Sequence, residues 1–421
     1  LYTTLFTLGL PFIILRLIWR GFRAPAYWHR WPERFGASPT LSQADVIWVH
    51  AVSVGEVEAC RPLVKALQQE YPEYQILITT MTPTGSARVK LLFAETVAHC
   101  YLPYDLPFAI KRFLSRIKPQ FGIIMETEIW PNLLSTCKQF EIPLVLANAR
   151  MSVRSAKGYA RFSKFTASVL DDLSLIAAQG QDDKKRFQQL GASNKKVHVI
   201  GNLKYEINLA ASLKEQASAM RNLWNSNRPV LVAASTHEGE EEMLLNAARQ
   251  IRGHFSDLLL IIVPRHPERF DRVAALAQRS GVKTIRRSEH RPCPADIQVM
   301  IVDTMGELPL FYAASDLAFV GGSLVPHGGH NLLEPAILGR AVITGPHFFN
   351  FNEITKQFLT ANAATQVNDT QELAETVINL LQNSQQRAQM SEAGLKLIAA
   401  SQGASARLVN LIKHNITRNE K

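Results

Sequence analysis

Short apolar runs rich in β-branched residues alternate along this chain with longer segments whose apolar residues recur at helical spacing. From residue 46 to 201 the runs are VIWVHAV, QILITT, TVAHCYL, FGIIME, PLVLANA, LSLIAAQ and KVHVIG. Further runs, PVLVAAS, LLLIIVP, IQVMIVD, DLAFVGG and AVITG, lie between residues 229 and 345. Continuous apolar runs are typical of strands buried on both faces, so this alternation predicts an α/β protein with parallel sheets covered by helices.

The alternation lapses in a polar, helix-prone stretch between the two series, which predicts two Rossmann-like domains. We expect a first domain over residues 35–205, a linker over 206–228 and a second domain over 229–421. No strand is predicted after residue 370, so the final helices are free to pack back across the cleft between the domains. In parallel sheets, ligands bind at the carboxyl ends of the strands, where loops and helix N-termini present backbone N–H groups.

The N-terminal segment, residues 1–34, differs from the rest. Residues 1–19 are apolar apart from Arg16 and a few hydroxyl groups, and five basic residues follow: Arg20, Arg23, His29, Arg30 and Arg34. A secretory signal has the opposite charge order. The pattern predicts a membrane anchor with the main body on the cytoplasmic side, held near anionic head groups. A helix buried against the protein is the alternative.

Composition narrows the class of partner. The chain has 421 residues and a net charge of +10, which favours an anionic partner such as a phosphorylated metabolite or a membrane surface. Basic strands interleaved with aromatic residues are absent from the sequence, so nucleic acid is not expected. The four cysteines form no CxxC pair, which disfavours a zinc site and a disulfide framework.

Acidic residues follow two predicted strands of the first domain. Glu56 lies just after Gly55, where it serves either as an acid favoured by the helix dipole or as a general base. Glu126 and Glu128 stand two apart, which suggests either a metal site or a charged rim. A divalent cation prefers several converging oxygen ligands, and the chain has no DxD motif. We therefore expect no metal.

Three motifs follow strands of the second domain. Arg265 lies in IVPRHPERF, and its planar guanidinium suits a phosphate. The turn in VDTMGEL offers amides to a base or phosphate, although this signal alone is weak. FVGGSLVPHGGHNLLEP is stronger, because glycines give access and Asn331 and Glu334 share one helical face. The motifs GxGxxG, GxxxxGK[ST] and GxSxG are absent, which disfavours hydride transfer, P-loop chemistry and serine hydrolysis.

Ten ordered motifs along the chain resemble those of the bacterial 3-deoxy-D-manno-octulosonic acid (Kdo) transferases of lipopolysaccharide assembly. They are HAVSVGE, TTMTPTGS, YLPYDLP, METEIWPN, NARMS, GNLK, STHEGEE, PRHPERF, DTMGEL and GGSLVPHGGHNLLEP. The resemblance runs from the N-terminal segment to about residue 351. It implies a GT-B fold, with two Rossmann-like domains facing a central cleft: the first would bind the acceptor, lipid IVA, and the second the donor, CMP-Kdo. It also implies an enzyme without cofactors at the cytoplasmic face of the inner membrane.

The resemblance also implies residue roles. Glu56 matches the catalytic base, and Glu126 and Lys204 match transition-state stabilisers. The CMP-binding positions match Pro264, Arg265, Met305, Gly306, Glu307, Asn331, Leu332, Leu333 and Glu334. Because CMP carries one phosphate, no metal is needed to chelate a pyrophosphate. The alternatives are a GT-B transferase or an epimerase acting on another nucleotide sugar, and a non-catalytic sugar-nucleotide binder at the membrane surface.

Overall fold

The computed structural model describes residues 2–39, 41, 45–207 and 211–416. Contacts divide the chain into two units, one comprising Leu1–Glu206 with Ser401–Lys421 and the other Ile207–Ala400. Each unit contains a seven-stranded sheet in which every pair of neighbouring strands is parallel. The α/β class and the two Rossmann-like sheets predicted from the sequence are confirmed.

The strands of the first unit are β1 Val46–His50, β2 Gln75–Thr80, β3 Ala98–Tyr101, β4 Pro119–Met125, β5 Leu144–Ala149, β6 Leu175–Ala178 and β7 Val197–Val199. Those of the second are β8 Val230–Thr236, β9 Leu259–Pro264, β10 Thr284–Arg286, β11 Val299–Ile301, β12 Leu317–Val320, β13 Ala341–Thr344 and β14 Ala364–Gln366. The orders are β3-β2-β1-β4-β5-β6-β7 and β10-β11-β9-β8-β12-β13-β14. All twelve predicted runs form strands, whereas the three-residue edge strands β10 and β14 were not predicted, because their sequences are half polar.

The helices connect successive strands and cover the sheets. They are α1 Tyr2–Arg23, α2 Val54–Glu70, α3 Pro83–Phe93, α4 Pro107–Ile117, α5 Pro131–Gln139, α6 Val153–Ala160, α7 Ser163–Asp171, α8 Gln181–Gln189, α9 Leu213–Leu223, α10 Glu240–Ile251, α11 Phe270–Arg279, α12 Leu308–Ala314, α13 Leu333–Ile337, α14 Asn352–Thr360, α15 Thr370–Gln382, α16 Ser384–Ser401 and α17 Ala404–Asn415.

Both faces of the first sheet are buried, as its continuous apolar strands predict. Successive side chains of β1 point to opposite faces. Val49 packs with Leu63 of α2 in one core, and Trp48 packs against Phe113 of α4 in the other. Helix α17 joins the core on the α2 side through Leu408. The end of the chain therefore belongs to the first unit.

Residues 206–228, predicted from the sequence to be a linker, include helix α9 of the second unit. Arg221 pairs with Asp316 at 2.8 Å, and the Trp224 ring stacks on Phe311 with centroids 6.3 Å apart. Leu213 and Ala217 lie one helical turn apart and are buried, whereas Leu223 at the end of α9 is 82% exposed. The stretch is polar but rich in helix-forming residues, and its helix α9 packs against α12.

Helix α1 contacts the first unit along one side. Its Phe6 and Leu10 pack with Tyr104 and Leu106, and Thr3 Oγ1 donates to Asn132 Oδ1 at 2.7 Å. The opposite side exposes apolar residues at three- and four-residue steps: Leu5, Leu8, Phe12, Leu15, Trp19 and Phe22. Among the described residues, Tyr2–Phe22 is long and apolar enough to cross a bilayer and is only 11% buried, although signal sequences meet the same criteria.

Candidate functional site

Glu56 lies in the first turn of α2, directly after the end of β1. Its carboxylate accepts the Val52 N–H at 2.9 Å and the Ser53 hydroxyl at 3.4 Å, and the residue is 9% exposed. Burial raises the pKa of Glu56 to about 8; the Val52 N–H opposes this shift, and Glu126 and Glu128 add to it. Glu56 thus makes a contact typical of a helix-capping acid, and it also carries the perturbed pKa expected of a general base.

Glu126 and Lys204 form an ion pair in the same unit. Lys204 Nζ lies 2.6 Å from Glu126 Oε1. Glu126 follows β4 with a left-handed φ of 58°, a conformation that few non-glycine residues adopt. Both charges act on the pKa of Glu56, Glu126 raising it and Lys204 lowering it. The structure therefore brings together the three residues that the resemblance implicates in catalysis.

Asn148, the first residue of NARMS, had no role assigned from the sequence, and it holds the Lys204 turn in place. It is fully buried near the end of β5, has a φ of 53°, and its Oδ1 accepts the Leu203 N–H at 3.0 Å. Asn202 Oδ1 accepts the Lys204 N–H at 3.0 Å, which closes a short 3-10 turn over Leu203–Tyr205. In the sequence, the polar Asn148 interrupts the apolar run PLVLANA, and this signal could have identified it.

Glu128 points to a different neighbour from Glu126. Its Oε2 accepts the indole N–H of Trp130 at 2.8 Å, and burial raises its pKa. Within the described ranges, no group of three or more His, Cys, Asp or Glu side chains is arranged to hold a metal ion. The expectation that no metal takes part in the reaction stays a prediction.

In the second unit, Glu240 organises the glycine-rich loop after β12. Its carboxylate is fully buried and accepts the backbone N–H groups of Gly322, Ser323 and Leu324 at 2.6, 2.9 and 2.9 Å, and that of His237 at 3.0 Å. Burial raises the pKa of Glu240, and the four N–H donors oppose that shift. These amides are thus occupied by the protein itself. The acid-rich helix start in STHEGEE was the available signal.

Two imidazoles meet beside this loop. His237 Nε2 lies 2.9 Å from His330 Nε2, and the two rings are nearly parallel. Burial lowers the pKa of both, to about 4 for His237 and about 3 for His330, and Arg265 further lowers that of His330. A Cβ at Gly322 would lie 3.0 Å from the His330 ring, and Gly322 has a φ of 66°. A glycine is required there to make room for the pair.

The two arginines that follow β9 have different environments. Arg265 is exposed, and its backbone N–H donates to the Thr236 carbonyl at 3.1 Å. Arg269 instead directs its guanidinium at Glu241, with N–O distances of 2.7 and 3.0 Å. Pro264 is the last residue of β9 and is buried. The Arg265 side chain is therefore accessible to solvent, whereas the Arg269 guanidinium is engaged by Glu241.

The remaining predicted CMP positions lie at the starts of two neighbouring helices. Before α12, Met305 is 67% exposed, Gly306 has a φ of 88°, and Glu307 pairs with Arg287 at 2.8 Å. Helix α12 packs against α13.

At the start of α13, Asn331 Oδ1 accepts the Leu333 N–H at 3.1 Å and Asn331 Nδ2 donates to Glu334 Oε1 at 3.4 Å. Leu332 and Leu333 are buried, so their side chains belong to the core and only their backbone can face a ligand.

Comparison with known proteins decides the family. The profile described as 3-deoxy-D-manno-octulosonic-acid transferase matches residues 29–207, and that of glycosyl transferases group 1 matches residues 221–397. The 3-deoxy-D-manno-octulosonic acid transferase of Haemophilus influenzae is 42% identical, with 99% of each chain covered. The chain belongs to the Kdo transferase family. The Bordetella pertussis Kdo transferase is 36% identical over 97% of this chain and 98% of the relative.

Solved structures agree on the fold of this Kdo transferase family member. The UDP-GlcNAc 2-epimerase of Neisseria meningitidis matches with a TM-score of 0.59, covering 88% of this chain and all of its own. Its identity is only 15%, so the likeness concerns the fold alone. Together with the group 1 glycosyltransferase profile, it confirms the predicted GT-B class. The Kdo transferase profile and the two relatives show a glycosyltransferase that uses Kdo.

Proposed function

We propose that this Kdo transferase moves Kdo from CMP-Kdo to lipid IVA in lipopolysaccharide assembly, with inversion at the anomeric carbon. Glu56 is the proposed general base. It takes the proton of the acceptor hydroxyl while that oxygen bonds to the anomeric carbon and the bond to the CMP phosphate breaks. The observation that carries this proposal is the buried Glu56 carboxylate, whose pKa of about 8 suits proton transfer near neutral pH.

The Glu126–Lys204 pair is proposed to stabilise the transition state. Positive character develops on the sugar as CMP leaves, and a carboxylate held in place by Lys204 offsets that charge without reorganising. The negative charge that collects on the departing phosphate is proposed to be met by Arg265 and by the backbone N–H groups of residues 305–307 and 331–334. CMP carries a single phosphate, so the proposal includes no metal.

Helix α1 is proposed to hold the enzyme at the cytoplasmic face of the inner membrane. Its exposed apolar side, from Leu5 to Phe22, would bury in lipid, which spares the enzyme from extracting acyl chains at about 0.8 kcal/mol per CH₂ group. The packed side of α1 would keep the first unit at that surface, where the acceptor lies.

The test is product analysis by mass spectrometry with purified full-length protein, lipid IVA and CMP-Kdo. We expect the acceptor mass to rise by one or more Kdo residues, with stoichiometric release of CMP. UDP-GlcNAc serves as the control donor and should give no product. Conversion of UDP-GlcNAc with no turnover of CMP-Kdo would favour the epimerase alternative and contradict the proposal.

A further inference from the structure

A pocket of about 610 Å³ lies in the first unit, beside the METEIWPN motif. It is formed by the loop of residues 127–131, by helices α6 and α7, and by Tyr2 at the start of α1. Its lining is dominated by Ile129, Trp130, Phe162 and Phe165. The volume falls in the range of about 300–1,000 Å³ that is typical of small-molecule sites.

The pocket opens among apolar side chains that face solvent. Phe162 is 70% exposed and Phe165 47% exposed, and the Phe165 ring lies 6.4 Å from that of Tyr2. Tyr2 begins the helix whose other side exposes Leu5 and Leu8. Exposed apolar side chains around a pocket, such as Phe162 and Phe165, mark a site for a protein, a membrane or an apolar ligand.

The charge around the opening selects among these occupants. Residues 142–170 include α6 and most of α7 and contain no Asp or Glu, but they carry five basic residues: Arg150, Arg154, Lys157, Arg161 and Lys164. The last four of these are exposed. An apolar pocket ringed by cations is complementary to a molecule with a hydrocarbon chain and an anionic head group.

The pocket is also joined to the proposed catalytic residues. Thr127 and Glu128 line it, and Glu126 comes immediately before them. Thr127 Oγ1 donates to the Arg150 carbonyl at 2.6 Å, which fixes this loop to the start of the basic segment. A chain held in the pocket would therefore anchor its head group beside the Glu126–Lys204 pair.

We infer that this pocket receives one acyl chain of the acceptor, while the basic residues of α6 and α7 hold its phosphate groups. The inference rests on the proposed function, since it concerns the same acceptor. It makes acylation a specificity element: the enzyme recognises the lipid part of the acceptor directly, apart from its partition into the membrane.

Gly158 offers a clean test, because it lines the pocket and a Cβ at this position would meet no atom within 4 Å. Gly158→Leu therefore adds an apolar side chain at the pocket wall without a clash at its Cβ. Ala160→Leu is the matched control, since Ala160 is an exposed residue of the same helix and does not line the pocket.

Both variants are assayed as full-length protein in detergent, with CMP-Kdo and either the tetra-acylated disaccharide bisphosphate or its fully deacylated form. For Gly158→Leu we expect KM for the acylated acceptor to rise about tenfold, the effect of about two methylene groups losing their burial. KM for the deacylated form should stay unchanged, as should both values for Ala160→Leu. An equal rise for both acceptors, or no rise for either, would overturn the inference.

Two further readouts distinguish an acceptor chain from a bilayer lipid in the pocket. Flotation with phosphatidylethanolamine–phosphatidylglycerol vesicles tests the bilayer lipid: loss of flotation in Gly158→Leu with KM unchanged would contradict an acceptor chain. Quenching of Trp130 fluorescence by an acceptor with brominated acyl chains reports binding in the pocket without turnover. The Trp130→Phe variant shows how much of the fluorescence comes from Trp130. If the wild type transfers no Kdo, the proposed function fails, whereas quenching that Gly158→Leu abolishes would still support the pocket.

Discussion

Lys204 Nζ lies 2.6 Å from Glu126 Oε1, and each residue reaches this contact from a turn that follows a strand of the same sheet. The side chains are 33% and 22% exposed, and ion pairs of this kind add only about 0–1 kcal/mol to stability. Yet Glu126 adopts a left-handed φ and Lys204 is fixed by a turn that Asn148 holds. The small gain in stability does not explain why both residues are held in this geometry, and we therefore favour a catalytic role for the pair.

If Glu126 and Lys204 act as a unit, removing either charge should remove most of the contribution of the pair to catalysis. We expect Lys204→Met or Glu126→Gln alone to lower kcat by about 10²–10³-fold, and the double variant to lose little more than either single one. Initial rates with CMP-Kdo and lipid IVA measure this. The exposed Lys196–Asp171 pair, at 2.8 Å, is the control, and Lys196→Met should leave kcat unchanged. Multiplicative losses in the double variant would show that the two residues act separately.

Glu56→Gln should abolish transfer while leaving the nucleotide site intact. The amide keeps an oxygen to accept the Val52 N–H but cannot take a proton, and loss of a general base costs about 10²–10⁴-fold in rate. Rates and CMP titration calorimetry on the same preparation measure both properties. Glu58→Gln, in the same helix, removes a half-exposed surface ion pair with Arg88 and is the matched control. Wild-type turnover in Glu56→Gln would leave the residue with its helix-capping role only.

The raised pKa of Glu56 also has a consequence for stability. Its pKa is about 8 in the folded protein and 4.5 by reference, so between these values the folded state keeps a proton that the unfolded chain has released. Stability contributed by this group therefore falls as pH rises through that window. Glu56→Gln removes this dependence. We expect the Tm of the variant, relative to wild type, to increase from about pH 5 to about pH 8 in a thermal shift assay, and a constant difference would contradict the pKa shift.

The strands and the motifs at their carboxyl ends could be predicted from the sequence, because apolar runs and glycine turns are local signals. Glu56, Glu126 and Lys204 were assigned through the resemblance. The Glu126–Lys204 contact, and the effect of both charges on Glu56, depend on β1, β4 and β7 lying in one sheet, and no local pattern predicts that strand order. Asn148 and Glu240 were missed because their importance comes from backbone N–H groups distant in sequence. The sequence also did not predict that one side of α1 packs against the first unit while the other stays exposed, because most residues of α1 are apolar.

Arg265 and Arg269 should separate ligand binding from stability. Arg265 is exposed, so Arg265→Ala is expected to weaken CMP binding by about 1.5–3 kcal/mol, the scale of a charged hydrogen bond, with Tm unchanged. Arg269 neutralises the buried Glu241, so Arg269→Ala should lower the free energy of unfolding by about 3 kcal/mol or more. Calorimetry with CMP and urea unfolding test the two effects. Unchanged CMP affinity in Arg265→Ala would place the phosphate elsewhere.

Glu240 should contribute to the stability of the second unit, because its carboxylate accepts four backbone N–H groups. In Glu240→Gln, one carboxylate oxygen becomes an NH₂ group facing backbone donors, at least one of which is left without an acceptor in the core. A buried donor without an acceptor costs about 1–3 kcal/mol, so we expect a loss of that size in urea unfolding. Glu242→Gln, exposed in the same helical turn, is the control and should change stability little. CMP should restore part of the lost stability, because the loop that Glu240 holds leads into the Asn331–Glu334 segment. Equal stability of the two variants would mean that the loop keeps its shape without the carboxylate.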